Sequence, residues 1–146
     1  RGIIDPVLFS EIKNLISQHK YAAIHFNNGL HGIEYDAEQY EKGMKKLIRL
    51  LKRHGQGATL IGATSTAVLP GFPHWKSDEF NRELVMSRNG ILIDVCQKNS
   101  IPVNDLYPVT ASKPELFSND KIHYTADGYN ALGKQTVEII LNVLIP

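Results

Sequence analysis

The chain has 146 residues, 42% apolar and 21% charged, the makeup of one globular domain or a large piece of one. Its formal net charge of +1 provides no basic field for nucleic acid or an acidic membrane surface, and no apolar run approaches the ~18 residues of a membrane span. Cys96 is the only cysteine, which excludes an intrachain disulfide and leaves the compartment open.

Residues 6–19 read as a helix. Pro6 suits a first-turn position, and Leu8, Ile12, Leu15 and Ile16 fall on one face. Residues 21–26 are a short apolar run that stops at Asn27-Asn28-Gly29, the pattern of a buried parallel strand entering a tight loop. Residues 36–54 carry the clearest helical stripe, with Tyr40, Met44, Leu47, Ile48 and Leu51 on it. Acidic residues lie in its first turns and Lys52, Arg53 and His54 in its last, as the helix dipole favours, and Gly55 is a stop signal.

Residues 58–63 predict a second buried strand, followed by the turn-rich Pro70-Gly71-Phe72-Pro73. A long helix is predicted over 77–98, with Asn89-Gly90 as a weak point inside it. Residues 101–103 predict a third strand, and 105–124 read as irregular. A final helix is predicted over 126–143, with Leu132, Val137, Ile140 and Leu141 facing inward. Strands alternating with helices imply an α/β fold with a parallel sheet and helices on both faces.

Three stretches carry candidate chemistry. Asp120-Lys121-Ile122-His123 precedes the last helix. A turn of this length brings the carboxylate beside the imidazole, fixes its tautomer and leaves the other ring nitrogen free to take a proton. Thr125 is placed to cap the helix that follows. The plain alternative is a surface Asp–His pair without catalytic work. The second stretch runs from His25 to Gly32, at a strand end where parallel sheets bind ligands. Its Asn27 offers an amide donor of the kind that stabilises an oxyanion; turn chemistry alone is the other reading. His25 and His31 lack partners at metal-ligand spacing. The third is Ala63-Thr64-Ser65-Thr66. Ser65 lacks a Gly-x-Ser-x-Gly elbow, so this hydroxyl-rich loop reads as a pocket lining, with Phe72 and Trp75 as a wall or as core cover.

Together these stretches resemble the SGNH hydrolases, also called GDSL esterases. His25–Gly32 looks like the family's Gly-x-Asn-Asp block in a His-Phe-Asn-x-Gly-Leu-His variant. Asp120–His123, with Gly128-Tyr129 downstream, looks like its Asp-x-x-His block, and Ile101–Tyr107 like the strand and loop before it. The resemblance runs from about residue 21 to residue 143. It implies a three-layer α/β/α, flavodoxin-like fold whose sheet has the order 2-1-3-4-5, here represented by its third, fourth and fifth strands. The chain would then be the C-terminal part of a single domain, covering residues 1–146.

The implied activity is ester hydrolysis, with His123 as general base, Asp120 orienting it, and Asn27 in the oxyanion hole. Asn28 is the fallback for that donor and, with Ser65, a candidate substrate-binding residue. Carbohydrate O-acetyl or other small acyl esters are the implied substrates, and no metal or organic cofactor is implied. No Gly-Asp-Ser block is present, so the nucleophilic serine is expected outside these residues, in another part of the same molecule or in another subunit. The family's glycine block has Gly2 as its one candidate. Missing first strands would leave residues 21–26 as an apolar sheet edge. Two other readings stand beside this one. A degenerate hydrolase domain would bind carbohydrate or a protein partner. A flavodoxin-like nucleotide or flavin binder would need a glycine-rich phosphate loop, which neither long strand has.

Overall fold

The computed structural model describes residues 1–73 and 75–145. In chain order the elements are α1 (Pro6–Gln18), β1 (Ala23–Phe26), α2 (Ala37–His54), β2 (Thr59–Ala63), α3 (Asp78–Gln97), β3 (Val103–Asn104), α4 (Tyr107–Thr110), a 3-10 turn (Pro114–Leu116) and α5 (Ala126–Leu144).

Local chemistry sets the helix starts. Asp5 caps α1 by accepting from the Val7 N–H at 2.8 Å, with Pro6 in the first turn. Asp36 and Gln39 form a reciprocal capping box on α2. Ser77 caps α3, and Thr125 caps α5 by accepting from the Gly128 N–H. Asn89-Gly90 does not interrupt α3. The Asn89 side chain is taken up by the neighbouring loop, and Gly90 is exposed, with open space where a Cβ would stand.

Among the described residues the sheet has three strands in the order β1-β2-β3, all parallel. Its register puts Phe26 beside Gly62 and Gly62 beside Val103, so these side chains share one face. His25 lies beside Ile61, and Ala63 beside Asn104, on the other. The third strand begins later than the sequence suggests. The Ile101 N–H closes the end of α3 on the Cys96 carbonyl, and pairing starts with the Pro102 carbonyl and the Gly62 N–H.

On the first face α2 and α3 enclose the core. Tyr40, Met44, Leu47, Ile48 and Leu51 meet Leu92, Val95 and Cys96 over Phe26 and Leu60. Gly62 lets α3 approach: a Cβ there would stand 2.6 Å from Cys96 Sγ. Helix α1 adds Phe9 and Ile16, with Ile12 partly buried, a stripe spaced i, i+3, i+7. Leu15, expected on that stripe, points outward at 58% exposure.

Helix α5 lies over the second face, against β2, β3, α4 and the 3-10 turn. Its inward side is partly polar. Asn104, 1% exposed, donates to Thr136 Oγ1 and to His25 Nε2, each at 3.1 Å, and accepts from Gln135 Nε2 at 2.9 Å. Burial lowers the His25 pKa from its ordinary value. Leu132 and Ile140 are half-buried, but Val137 and Leu141, expected inward, are 56% and 50% exposed. Periodicity identifies an apolar stripe, but the width of the neighbour decides how much of it is covered. A two-residue β3 covers a narrow part.

Candidate active site

The Asp120–His123 pair sits on a tight loop closed by backbone bonds. The Ser118 N–H donates to the His123 carbonyl at 2.9 Å, the Lys121 N–H to the Ser118 carbonyl at 3.0 Å, and the Thr125 N–H to the Leu116 carbonyl at 2.9 Å. Lys121 has φ +66°, a left-handed conformation uncommon for a residue with a Cβ. It lets the chain reverse within four residues and turns Asp120 and His123 toward each other. The Leu69 N–H, bonded to the Lys121 carbonyl at 3.0 Å, anchors the turn to the segment after β2.

Asp120 uses both carboxylate oxygens. Oδ1 accepts from Ser118 Oγ at 2.6 Å, from the His123 N–H at 2.9 Å and from the Ile122 N–H at 3.2 Å. Oδ2 meets His123 Nδ1 at 2.5 Å. The Ser118 hydroxyl, then the imidazole and the backbone N–H groups, hold the Asp120 carboxyl well below the usual carboxylate range. An ionised carboxylate only accepts, so Nδ1 carries the proton and Nε2 carries the free lone pair. This is the tautomer that a general base requires.

His123 opens on a pocket of ≈530 Å³. Ile122, Tyr124 and Tyr129 wall it on the histidine side, Leu30 and His31 come from the loop after β1, Thr66 follows β2, and Phe72 and Trp75 close the far side. Phe72 and Trp75 meet edge to face, with ring centroids 5.4 Å apart. The two aromatics named from sequence thus form a pocket wall. All three loops leave the C-terminal ends of strands or run into α5, where parallel sheets place their ligands.

The other candidates lie nearby but face differently. Asn27 Nδ2 donates to the Ala63 carbonyl at 2.7 Å and to Ser65 Oγ at 3.1 Å, so both its protons are engaged across the strand ends. Ser65 is buried and faces Asn27, while Thr66, next in the chain, reaches the pocket. Asn28 Nδ2 donates to the Arg1 carbonyl at 3.1 Å, and its Oδ1 is buried without a partner. Gly2 is buried against Tyr35: a Cβ there would stand 2.3 Å from the ring. Residues 1 and 2 therefore lie beside the asparagine loop. Among the described residues no three His, Cys, Asp or Glu side chains gather as a metal site, and no helix is long and apolar enough to cross a membrane.

Sequence reasoning missed the groups that hold these loops. Ser118 is two residues from Asp120 and signals itself only by that spacing. Thr64, 1% exposed, donates to Asp105 Oδ1 at 2.8 Å and accepts the N–H groups of Leu106 and Tyr107, tying the end of β2 to α4. Arg88 and Asn89 reach the loops from α3.

No protein-family model matches the sequence, and no curated protein does. Solved structures match in fold. A lipase/acylhydrolase from Enterococcus faecalis superposes with a TM-score of 0.70 over 96% of this chain and 70% of its own, at 18% identity. A GDSL-like lipase from Bacteroides thetaiotaomicron gives 0.69 over 84% of this chain and 63% of its own, at 17% identity. An acetyl xylan esterase gives 0.73 over 96% and 76%, at 16% identity. The chain has the α/β fold of the GDSL-like lipase/acylhydrolase structures and spans between 63% and 76% of the length of these three.

Proposed function

We propose that this chain supplies the acid–base half and the oxyanion loop of an SGNH-type serine esterase. One observation carries the reading: a carboxylate-held imidazole with a free Nε2 opens on a pocket built from the loops after β1 and β2 and the loop that runs into α5. The fold shared with lipase/acylhydrolase and acetyl xylan esterase structures supports ester hydrolysis in general.

In this reading a serine from outside these residues attacks an ester carbonyl, and its proton passes to His123 Nε2. Asp120 holds the ring and stabilises the imidazolium. The tetrahedral oxyanion takes a hydrogen bond from Asn27, whose amide exchanges its Ser65 bond for it, with Asn28 and the backbone of Gly2 beside it. Collapse expels the alcohol, which takes the proton from His123. A water then releases the acyl group by the same steps in reverse roles. Carbohydrate O-acetyl or other small acyl esters are the proposed substrates.

The segment that brings the serine also completes the sheet. Among the described residues β1 is paired on one side only, and Val137, Leu141 and Leu144 of α5 stand exposed. An unpaired edge and an apolar helix face within one fold are what further strands and a helix would cover.

The engagement of both Asn27 amide protons within the chain favours a second reading, a degenerate hydrolase domain that binds carbohydrate or a protein partner. Hydrolysis of p-nitrophenyl acetate, and labelling by a serine-reactive phosphonate, decide between the two on the intact protein, flanking sequence included. Esterase activity that falls by about 10³- to 10⁴-fold in His123→Ala is expected. Intact protein that neither labels nor hydrolyses leaves the binding domain as the reading.

A further inference from the structure

Arg88 is 1% exposed, and among the described residues no carboxylate pairs with it. A buried, unpaired guanidinium is costly unless its N–H groups are satisfied. Here the two terminal nitrogens are satisfied by one loop, while the buried Nε has no hydrogen-bond partner among the described residues. Nη1 donates to the carbonyls of Gly29 at 3.0 Å and His31 at 2.9 Å, and Nη2 to those of Gly32 at 2.5 Å and Tyr35 at 3.3 Å. The guanidinium also lies over the Tyr40 ring, 4.9 Å from its centroid. The loop does little to hold itself, since the Tyr35 N–H on the Gly32 carbonyl is its one internal backbone bond among the described residues.

The next residue holds the neighbouring loop. Asn89 Oδ1 accepts the Ser65 N–H at 2.7 Å, and its Nδ2 donates to the Ser65 carbonyl at 2.8 Å. Ser65 Oγ in turn receives the Asn27 amide. The two loops interlock at this point, because a Cβ on Gly29 would stand 1.8 Å from Ser65 Oγ. The segment that follows Ser65 reaches the histidine loop through Leu69 and Lys121. Consecutive residues on a helix point about 100° apart, so one 20-residue helix reaches both strand-end loops at once.

We infer that Arg88 and Asn89 are positioning residues: α3 uses them to fix the Asn27 amide and the loop from Gly29 to Tyr35 relative to His123. The inference rests on the esterase reading for its kinetic consequence, and on the geometry alone for its effect on the loop. An arginine fork serves several carbonyls, whereas a lysine keeps the charge as a single compact donor group. Arg88→Lys therefore separates charge from geometry, and Asn89→Asp removes the donor to the Ser65 carbonyl.

The test compares both variants with Leu92→Ala, a core truncation on the same helix whose side chain belongs to the core cluster. In the intact protein, at a temperature well below every variant's Tm, Arg88→Lys and Asn89→Asp are expected to lower kcat on p-nitrophenyl acetate by about 10- to 100-fold, with KM nearly unchanged. Leu92→Ala should lower Tm and leave kcat near the parent value. Equal kcat losses in all three variants, or none in the two loop variants, overturn the inference. Should the intact parent protein prove inactive, the esterase reading falls by itself. Amide hydrogen exchange then decides the positioning role. Faster exchange at 29–35 and at Ser65 in the loop variants than in Leu92→Ala upholds it, and equal exchange rejects it.

Discussion

The two faces of the sheet carry helices of similar length with very different burial. On one, α2 and α3 have 18 and 20 residues and bury a continuous set from Tyr40 to Leu51 and from Asn81 to Cys96. On the other, α5 has 19 residues and buries only Gly128 fully. All three begin with a side-chain cap, so the difference does not lie in helix formation. It lies in what each helix packs against. The first face is wide and apolar, with Gly62 allowing close approach. The second is crossed by the polar seam of His25, Asn104, Gln135 and Thr136, and α5 reaches only part of it. Stability is concentrated on one face, and the candidate chemistry enters from the loop that leads into the other.

The largest stability effect should come from the first face. Met44→Ala leaves a cavity under a side chain at 0% exposure and should cost about 2–5 kcal/mol in urea unfolding. A cost below 1 kcal/mol would mean that this face is loosely packed and that the contrast is unsound.

The loop before α5 should show a smaller, pH-dependent effect. The Asp120 carboxyl is held below its unfolded value, so its contribution is present at neutral pH and persists down to the ordinary carboxylate range near pH 4. It is lost as pH falls further, through the lowered value. The stability difference between the parent chain and Asp120→Asn should thus hold down to about pH 5 and shrink progressively as pH falls below about 4. A difference that stays the same as pH falls below about 4 would place the carboxyl in an ordinary environment.

The smallest effect belongs to the outer side of α5. Leu141→Ala should change the stability of this chain by less than about 0.5 kcal/mol. The same substitution in intact protein should cost about 2 kcal/mol or more if a further segment covers that side. Equal small costs in both would mean that the α5 stripe stays exposed.

Much of this was legible in the sequence. The α2 stripe, the cap at Thr125 and the strand ends near Phe26 and Ala63 follow from spacing and local chemistry. So does the approach of Asp120 to His123, because a three-residue separation is closed by one turn. Other features were not legible. Arg88 and Asn89 sit in a helix whose pattern gives no sign of the loops they hold, since those partners lie 24 to 59 positions away along the chain. Asn89-Gly90 reads locally as a weak point, and only the neighbouring loop turns Asn89 into a clamp. The apolar residues of α5 read as core because periodicity reports a face without reporting its neighbour.

The sequence by itself determined the long helices, their parallel α/β arrangement with the strands and the approach of Asp120 to His123, because each is a matter of contacts within a few residues or of one repeating face; it read 105–124 as irregular, where the structure has α4 and the 3-10 turn. The tertiary structure decided which residues line the pocket, that Ser65 faces Asn27 while Thr66 faces the cavity, and that one helix braces both loops. These depend on bonds between strand ends distant along the chain, whose geometry exists only once the sheet and α3 are packed together.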